Sequence, residues 1–275
     1  MRGLAIFTVL ALVLTTAVSH AGPPAGAGSS ALVSPAVLAA LAAAEGDEAP
    51  IDSALRIYEK AEWSGALRLG VTLQRGNVDS ALVDFSADVQ RTWTVDKLTA
   101  GARYRWGEQE DEKTSSYASV QSRFTHHYSR TLFGYASGKA ERDDVADLSL
   151  RATLGVGAGL SVWRASDDEF LDLSAGIAIL HEDYEGQSPD TDPAGEVGLE
   201  LGMLLGEAKL RESFTAIAPL GDFDRYILQS LTTLTYPLGG SWNLDNSLAI
   251  TYVGDPPSGT DRLDLVLTIG LSYTF

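Results

Sequence analysis

The sequence contains no cysteine in 275 residues. Disulfides and thiolate metal sites are therefore excluded, and stability has to come from backbone pairing and packing. Positive charge is also scarce: 20 Lys and Arg stand against 37 Asp and Glu, for a formal net charge of −17. A chain this acidic repels a phosphate backbone, so no nucleic-acid partner is expected. Mean hydropathy is near neutral, as in a barrel where apolar residues take only alternate positions.

Alternation is what the sequence does have. Leu263, Leu265, Leu267, Ile269, Leu271, Tyr273 and Phe275 fall on every second position, with Asp264, Thr268, Gly270, Ser272 and Thr274 between them. This is one strand with an apolar and a polar face. The ending Leu271, Tyr273, Phe275 resembles the carboxy-terminal signal by which outer-membrane barrels are recognised, and so implies the barrel-assembly machinery as a partner. At the other end, Arg2 precedes the apolar stretch Leu4 to Val18 and the small-residue site Ser19-His20-Ala21. Residues 1–21 read as a cleaved secretory signal peptide, too short to be a comfortable membrane-spanning helix. The expected location is the outer membrane, in contact with its lipid and lipopolysaccharide. Residues 22–62, rich in Ala, Gly, Pro and Ser at first and helically spaced from Asp52, form an expected periplasmic leader.

From Trp63 to Phe275 the same period recurs. Leu67, Leu69, Val71 and Leu73 alternate with polar residues, as do Val83 to Val89, Leu98 to Trp106, Leu148 to Val162, Leu171 to Ile179, Val197 to Leu205 and Trp242 to Tyr252. Weaker segments lie near Ser116–His126, Thr131–Glu141, Ala208–Ala216 and Tyr226–Tyr236. The fold class is all-β: a single antiparallel transmembrane barrel of about 12 strands. Lipid exposure requires every backbone group to be paired, so the sheet must close. With a periplasmic carboxy terminus, turns fall near residues 92–95, 128–130, 164–168, 206–207 and 237–240. External loops fall near residues 75–77, 107–115, 142–147, 183–194, 219–224 and 254–261. Trp63, Tyr104, Trp106, Trp163, Tyr236, Trp242, Tyr252 and Tyr273 lie near strand ends, where interfacial rings belong.

The stretch from Trp63-Ser64-Gly65 to Gly76-Asn77-Val78-Asp79 resembles the YdiY-like, salt-induced outer-membrane proteins, a family of unknown function. A second stretch, from Tyr135 through Glu141-Arg142-Asp143 to Gly155, Gly157 and Gly159, is similar in the same way. The resemblance implies a compact outer-membrane barrel and no reaction. The Gly76-Asn77 pair has a plain physical reading as a tight hairpin, since both residues tolerate positive φ.

Catalytic chemistry has little support. His127-Tyr128-Ser129 resembles the His-x-Ser pair of lipid A deacylase barrels, but lies at a periplasmic turn, away from the outer leaflet. Asp143-Asp144 and His181-Glu182-Asp183 resemble the acidic and histidine groups at the mouth of omptin proteases, without their spacing. The acidic loop runs match no cation-binding loop. No catalytic residue, metal site or cofactor is therefore assigned, and no enzyme is expected.

The polar face is the better candidate. Arg68, Arg103, Arg105, Arg123, Arg151, Lys209 and Arg211 fall in register with Asp84, Asp88, Asp172, Glu200, Asp245 and Asp264. These are the expected lumen-facing groups. Segregated charge would make a selective pore for small solutes or ions; charge paired across the lumen would plug it. Two functions follow. One is a narrow pore. The other is a closed, stress-related envelope barrel whose acidic loops touch cations or lipopolysaccharide. A barrel hydrolase is a minor third.

Overall fold

Period-two alternation gives each strand an apolar and a polar side, and pairing neighbours in register makes one face of the sheet uniformly apolar. The computed structural model describes residues 57–58, 62–74, 80–109, 112–256 and 260–275. The expected signal peptide, most of the leader and the Arg75-Gly76-Asn77 turn lie outside the described residues.

The strands are β1 (Trp63–Gln74), β2 (Ser80–Thr92), β3 (Asp96–Gln109), β4 (Glu112–His127), β5 (Leu132–Asp143) and β6 (Leu148–Arg164). They continue as β7 (Phe170–Tyr184), β8 (Asp190–Leu205), β9 (Ala208–Pro219), β10 (Ile227–Gly239), β11 (Trp242–Val253) and β12 (Leu263–Thr274). Each pairs antiparallel with the next, and β12 pairs with β1, so the sheet is a closed barrel. Closure leaves no strand edge over the paired length. The seam is short: β1 and β12 are in register only from Ala66↔Thr274 to Gly70↔Gly270.

The outer wall is apolar. Leu67, Leu69, Phe85, Val120, Leu154, Ile177 and Val197 all point outward and are exposed, as is every second residue of β12 from Leu263 to Tyr273. Glu212 departs from that pattern. Its register places it outward beside Thr232, and its carboxylate accepts hydrogen bonds from Ser230 Oγ (2.6 Å) and Thr232 Oγ1.

Glycines on the inner wall make room for rings. Gly157 and Gly176 are register partners, and the Tyr135 ring lies over both. A Cβ on Gly157 would fall 2.7 Å from that ring, and one on Gly176 would fall 2.5 Å from its hydroxyl. At the seam, a Cβ on Gly65 would meet the terminal Phe275 ring at 2.6 Å.

The two rims differ from expectation at one end. Where residues 107–115 were expected to form a loop, pairing continues through Gly107↔Ser115, Glu108↔Lys113 and Gln109↔Glu112, with a register shift after Gly107. β8 likewise starts at Asp190, inside the expected 183–194 loop. Polar residues there do not stop the ladder, because pairing uses only backbone groups. The connections 206–207 and 240–241, at the end that carries the termini, are tight. The 220–226 connection at the far end carries a 3₁₀ turn, Phe223–Arg225.

Candidate functional site: the charged lumen

The inner wall carries one continuous register row of polar residues. It runs Ser272, Arg68, Ser86, Arg103, Ser119, Glu141, Arg151, Glu182, Asp190, from β12 round to β8. Alternation alone puts all nine side chains on the same face.

At the far end the row becomes an ion-pair network. Arg151 is buried and bridges Glu141 (3.1 Å) and Glu182 (2.9 Å), and its guanidinium also donates to the Tyr184 hydroxyl (2.5 Å). Glu182 then accepts from Arg225 (3.0 Å), which also pairs with Asp190 (2.7 Å) and Asp192 (2.9 Å). The Tyr117 hydroxyl donates to Glu141 (2.9 Å). Buried charges are tolerable only when paired and hydrogen-bonded in this way.

At mid-height the network crosses the lumen. Lys139 Nζ donates to Glu141 (2.6 Å) and to Gln229 Oε1 (2.7 Å), and Gln229 Nε2 donates to Glu141 (3.2 Å). Lys139 and Glu141 stand on β5 and Gln229 on β10, nearly opposite in the ring of strands. Below them the Tyr135 hydroxyl donates to Glu196 (2.8 Å), and the Arg123 guanidinium lies 3.8 Å from the Tyr135 ring centre. Ser213 Oγ donates to Glu200 (2.8 Å).

The end carrying the termini is filled differently. Arg164 and Ser161 hold Asp172, each at 2.7 Å, and the Phe170 ring has Lys97, Arg164 and Arg211 around it at 5.9, 4.9 and 5.5 Å. Tyr58, from the segment before β1, is seated here. The Ile57 and Tyr58 amides both donate to the Thr94 carbonyl, and the buried Tyr58 ring meets His127 edge-on at 5.6 Å. Burial pushes the pKa of the Tyr58 hydroxyl up, despite nearby Arg164.

The opposite wall, β11 through β3, carries its own ion pairs. Arg68 pairs with Asp88 and reaches over β12 to Asp245 (2.8 Å), past the side-chain-free Gly270. Arg105 pairs with Asp84 (3.1 Å). Among the described residues, Arg103 and Asp264 have no ion-pair partner, and Ser86 Oγ, Ser272 Oγ and Asp245 Oδ1 are buried without a hydrogen-bond partner.

The residues considered for catalysis are spent elsewhere. His127 Nδ1 faces the Val95 carbonyl (3.3 Å), and Ser129 Oγ accepts from the Thr131 and Leu132 amides. His181 points outward to Thr191 (2.8 Å), while neighbouring Glu182 points into the lumen. Among the described residues, no group of three or more His, Asp or Glu side chains could hold a metal ion. Lys139, Glu141, Glu182, Arg164, Arg225 and Gln229 were not singled out from the sequence as lumen groups. Glu182 and Gln229 have the parity opposite to Leu171 and Leu228, which would have placed them there, whereas Arg225 lies in the 3₁₀ turn and Arg164 follows a register shift in β6, where alternation does not carry over.

These features define a class of protein: a closed, twelve-stranded antiparallel barrel with an apolar outer wall and a charged lumen. The chain belongs to the family described as Protein of unknown function, DUF481, which matches residues 67–275. This agrees with the resemblance of its motifs to an outer-membrane barrel family of unknown function. Among solved structures, it is similar to the translocator domain of autotransporter NalP from Neisseria meningitidis, with 16% identity over 78% of this chain and 87% of that one (TM-score 0.41). It is also similar to KdgM porin, with 10% identity over 77% of this chain and 99% of that one (TM-score 0.42). No match is found among curated proteins.

Proposed function

We propose that this chain is an outer-membrane barrel, exported by its amino-terminal segment, whose lumen is shut at rest and which serves the envelope as a closed, stress-related barrel. The observation that carries this reading is the contact of Lys139 and Glu141 with Gln229 across the lumen. A solute would have to break that layer and separate ions that are already mutually satisfied. The location is supported by the outward wall, where the side chains of β12 are 40–62% exposed at Leu263, Leu265, Leu267, Ile269, Leu271 and Tyr273. A water-soluble protein rarely leaves so broad an apolar surface open. Orientation follows the barrel rule of short periplasmic turns, with the termini inside and the acidic rim outside, where it contacts cations or lipopolysaccharide. The test is planar-bilayer conductance of the refolded barrel: a silent bilayer is expected, and stable open steps in the unmodified protein would overturn the reading.

A second reading is favoured by the unsatisfied polar groups of the wall from β11 to β3. Ser86, Ser272, Asp245 and unpaired Arg103 sit together between β11 and β3, and orphaned buried polar atoms of this kind suit ordered water. A narrow ion path would follow this wall. It predicts a small conductance whose ion preference inverts on Arg103→Glu.

A further inference from the structure

The far end of the outer wall carries a feature that the lumen does not use. Tyr104, Ala118 and Arg142 are register partners on β3, β4 and β5, and all three point outward. With Ser116, Tyr117 and Asp144 they line a pocket of about 270 Å³. Ala118 is its floor, and Tyr104 and Arg142 are its sides. Arg142 is 61% exposed, yet it is fixed: its guanidinium donates to Asp144 (2.5 Å), which also accepts from Ser116 Oγ (2.7 Å). One guanidinium nitrogen is committed, and the other N–H donors are available.

Below Arg142 the outward positions of β5 are Ala140, Gly138 and Ala136, between β4, where Val120 is the partner of Ala140, and β6, where Leu154 is the partner of Gly138. Leu154 and Val120 stand to either side, 69% and 57% exposed. A cation at the rim therefore heads a shallow apolar trough made by small side chains. Asp144 takes one guanidinium nitrogen of Arg142, and the remaining donors can bind phosphate, which guanidinium does with two parallel hydrogen bonds.

We infer that this pocket binds the phosphorylated headgroup of an outer-leaflet glycolipid, lipid A, with phosphate on Arg142 and the Tyr104 hydroxyl and an acyl chain in the trough. Asp144 holds Arg142 in place and is a positioning residue. The inference rests on the proposed orientation, which puts this rim in the outer leaflet.

The test is the heat-modifiable gel mobility of the refolded full barrel, titrated with diphosphoryl lipid A, dephosphorylated lipid A or phosphatidylglycerol. Diphosphoryl lipid A is expected to raise the melting midpoint by about 5 °C. Arg142→Gln should abolish that shift, and Ala140→Leu, which fills the trough and leaves the arginine intact, should at least halve it. An equal shift in Arg142→Gln, or equal shifts with dephosphorylated lipid A or phosphatidylglycerol, would overturn the site. Orientation is read separately. Because the chain has no native cysteine, a Glu185→Cys variant on intact cells should react with an impermeant maleimide. Failure to react would overturn the orientation, and with it the outer-leaflet assignment, whatever the lipid titration shows.

Discussion

Gln229 Nε2 donates to both carboxylate oxygens of Glu141 across the lumen, at 3.2 and 3.4 Å, joining β10 to β5. The carboxylate that receives it is also held by Lys139, Arg151 and Tyr117. The crossing is thus anchored in the network that runs along the far half of the barrel.

Arg151 is the hub of that network. Arg151→Ala leaves Glu141 and Glu182 buried, with one counter-ion fewer each. Removing one partner of a buried ion pair costs about 3–5 kcal/mol. The expected result is a large loss in equilibrium urea unfolding, partly recovered by Glu141→Gln in the same chain. A loss no greater than that of an exposed substitution such as Arg130→Ala would contradict the hub role.

Acid should weaken the turn between β6 and β7. Burial alone would raise the pKa of Asp168, but its contacts with Lys209 (2.6 Å) and Arg211 (2.8 Å) outweigh burial and hold it below the usual range. A depressed folded-state pKa contributes stability that is fully present above the unfolded value, about 3.9, and is lost as pH falls through the folded one. Unfolding midpoints should therefore fall below about pH 4, and Asp168→Asn should flatten that acid limb. An unchanged acid limb in the variant would show that the turn pairing adds no stability.

Tyr58 is buried in the mouth beside the termini, against His127. With no cysteine in the chain, a His127→Cys variant reports directly on access from that side. Maleimide labelling should be slow with Tyr58 in place and at least tenfold faster after Tyr58→Gly. Equal rates would show that the seated ring does not seal the lumen.

The terminal ring should matter to assembly more than to the finished barrel. Phe275 pairs with Gly65 through both backbone groups, 3.0 Å from its amide and 2.9 Å to its carbonyl, and its ring occupies the space above Gly65. Phe275→Ala and Gly65→Val attack the same contact from its two sides. Both are expected to slow folding into lipid vesicles severalfold, because the seam ladder is short. Normal folding rates for both would remove the seam from the account.

Much of the barrel was legible because alternation is a covalent fact of the sequence. Eight strands announce themselves by apolar residues on every second position, and the last is the clearest. β5 was faint for a physical reason: its outward residues include Ala136, Gly138 and Ala140, too small to mark a face. The same faintness hid Lys139 and Glu141, the centre of the lumen. Glu182 was read as a loop acid because β7 continues farther than its apolar pattern does. Arg68, Asp84, Arg105 and Arg151 could be assigned a face from parity alone. Their partners could not, since pairing depends on register and stagger. The Arg68–Asp245 bridge spans an intervening strand, and it needs Gly270 to leave the way clear.

Single-channel recording of the wild-type barrel beside Gln229→Ala tests the central claim most directly. The account predicts a silent wild type and discrete, reproducible openings when Gln229→Ala is carried in a barrel already unsealed by Tyr58→Gly, with folding of both checked by heat-modifiable mobility. Open steps in the wild type, or a silent Gln229→Ala barrel whose lumen is already unsealed by Tyr58→Gly, would contradict it.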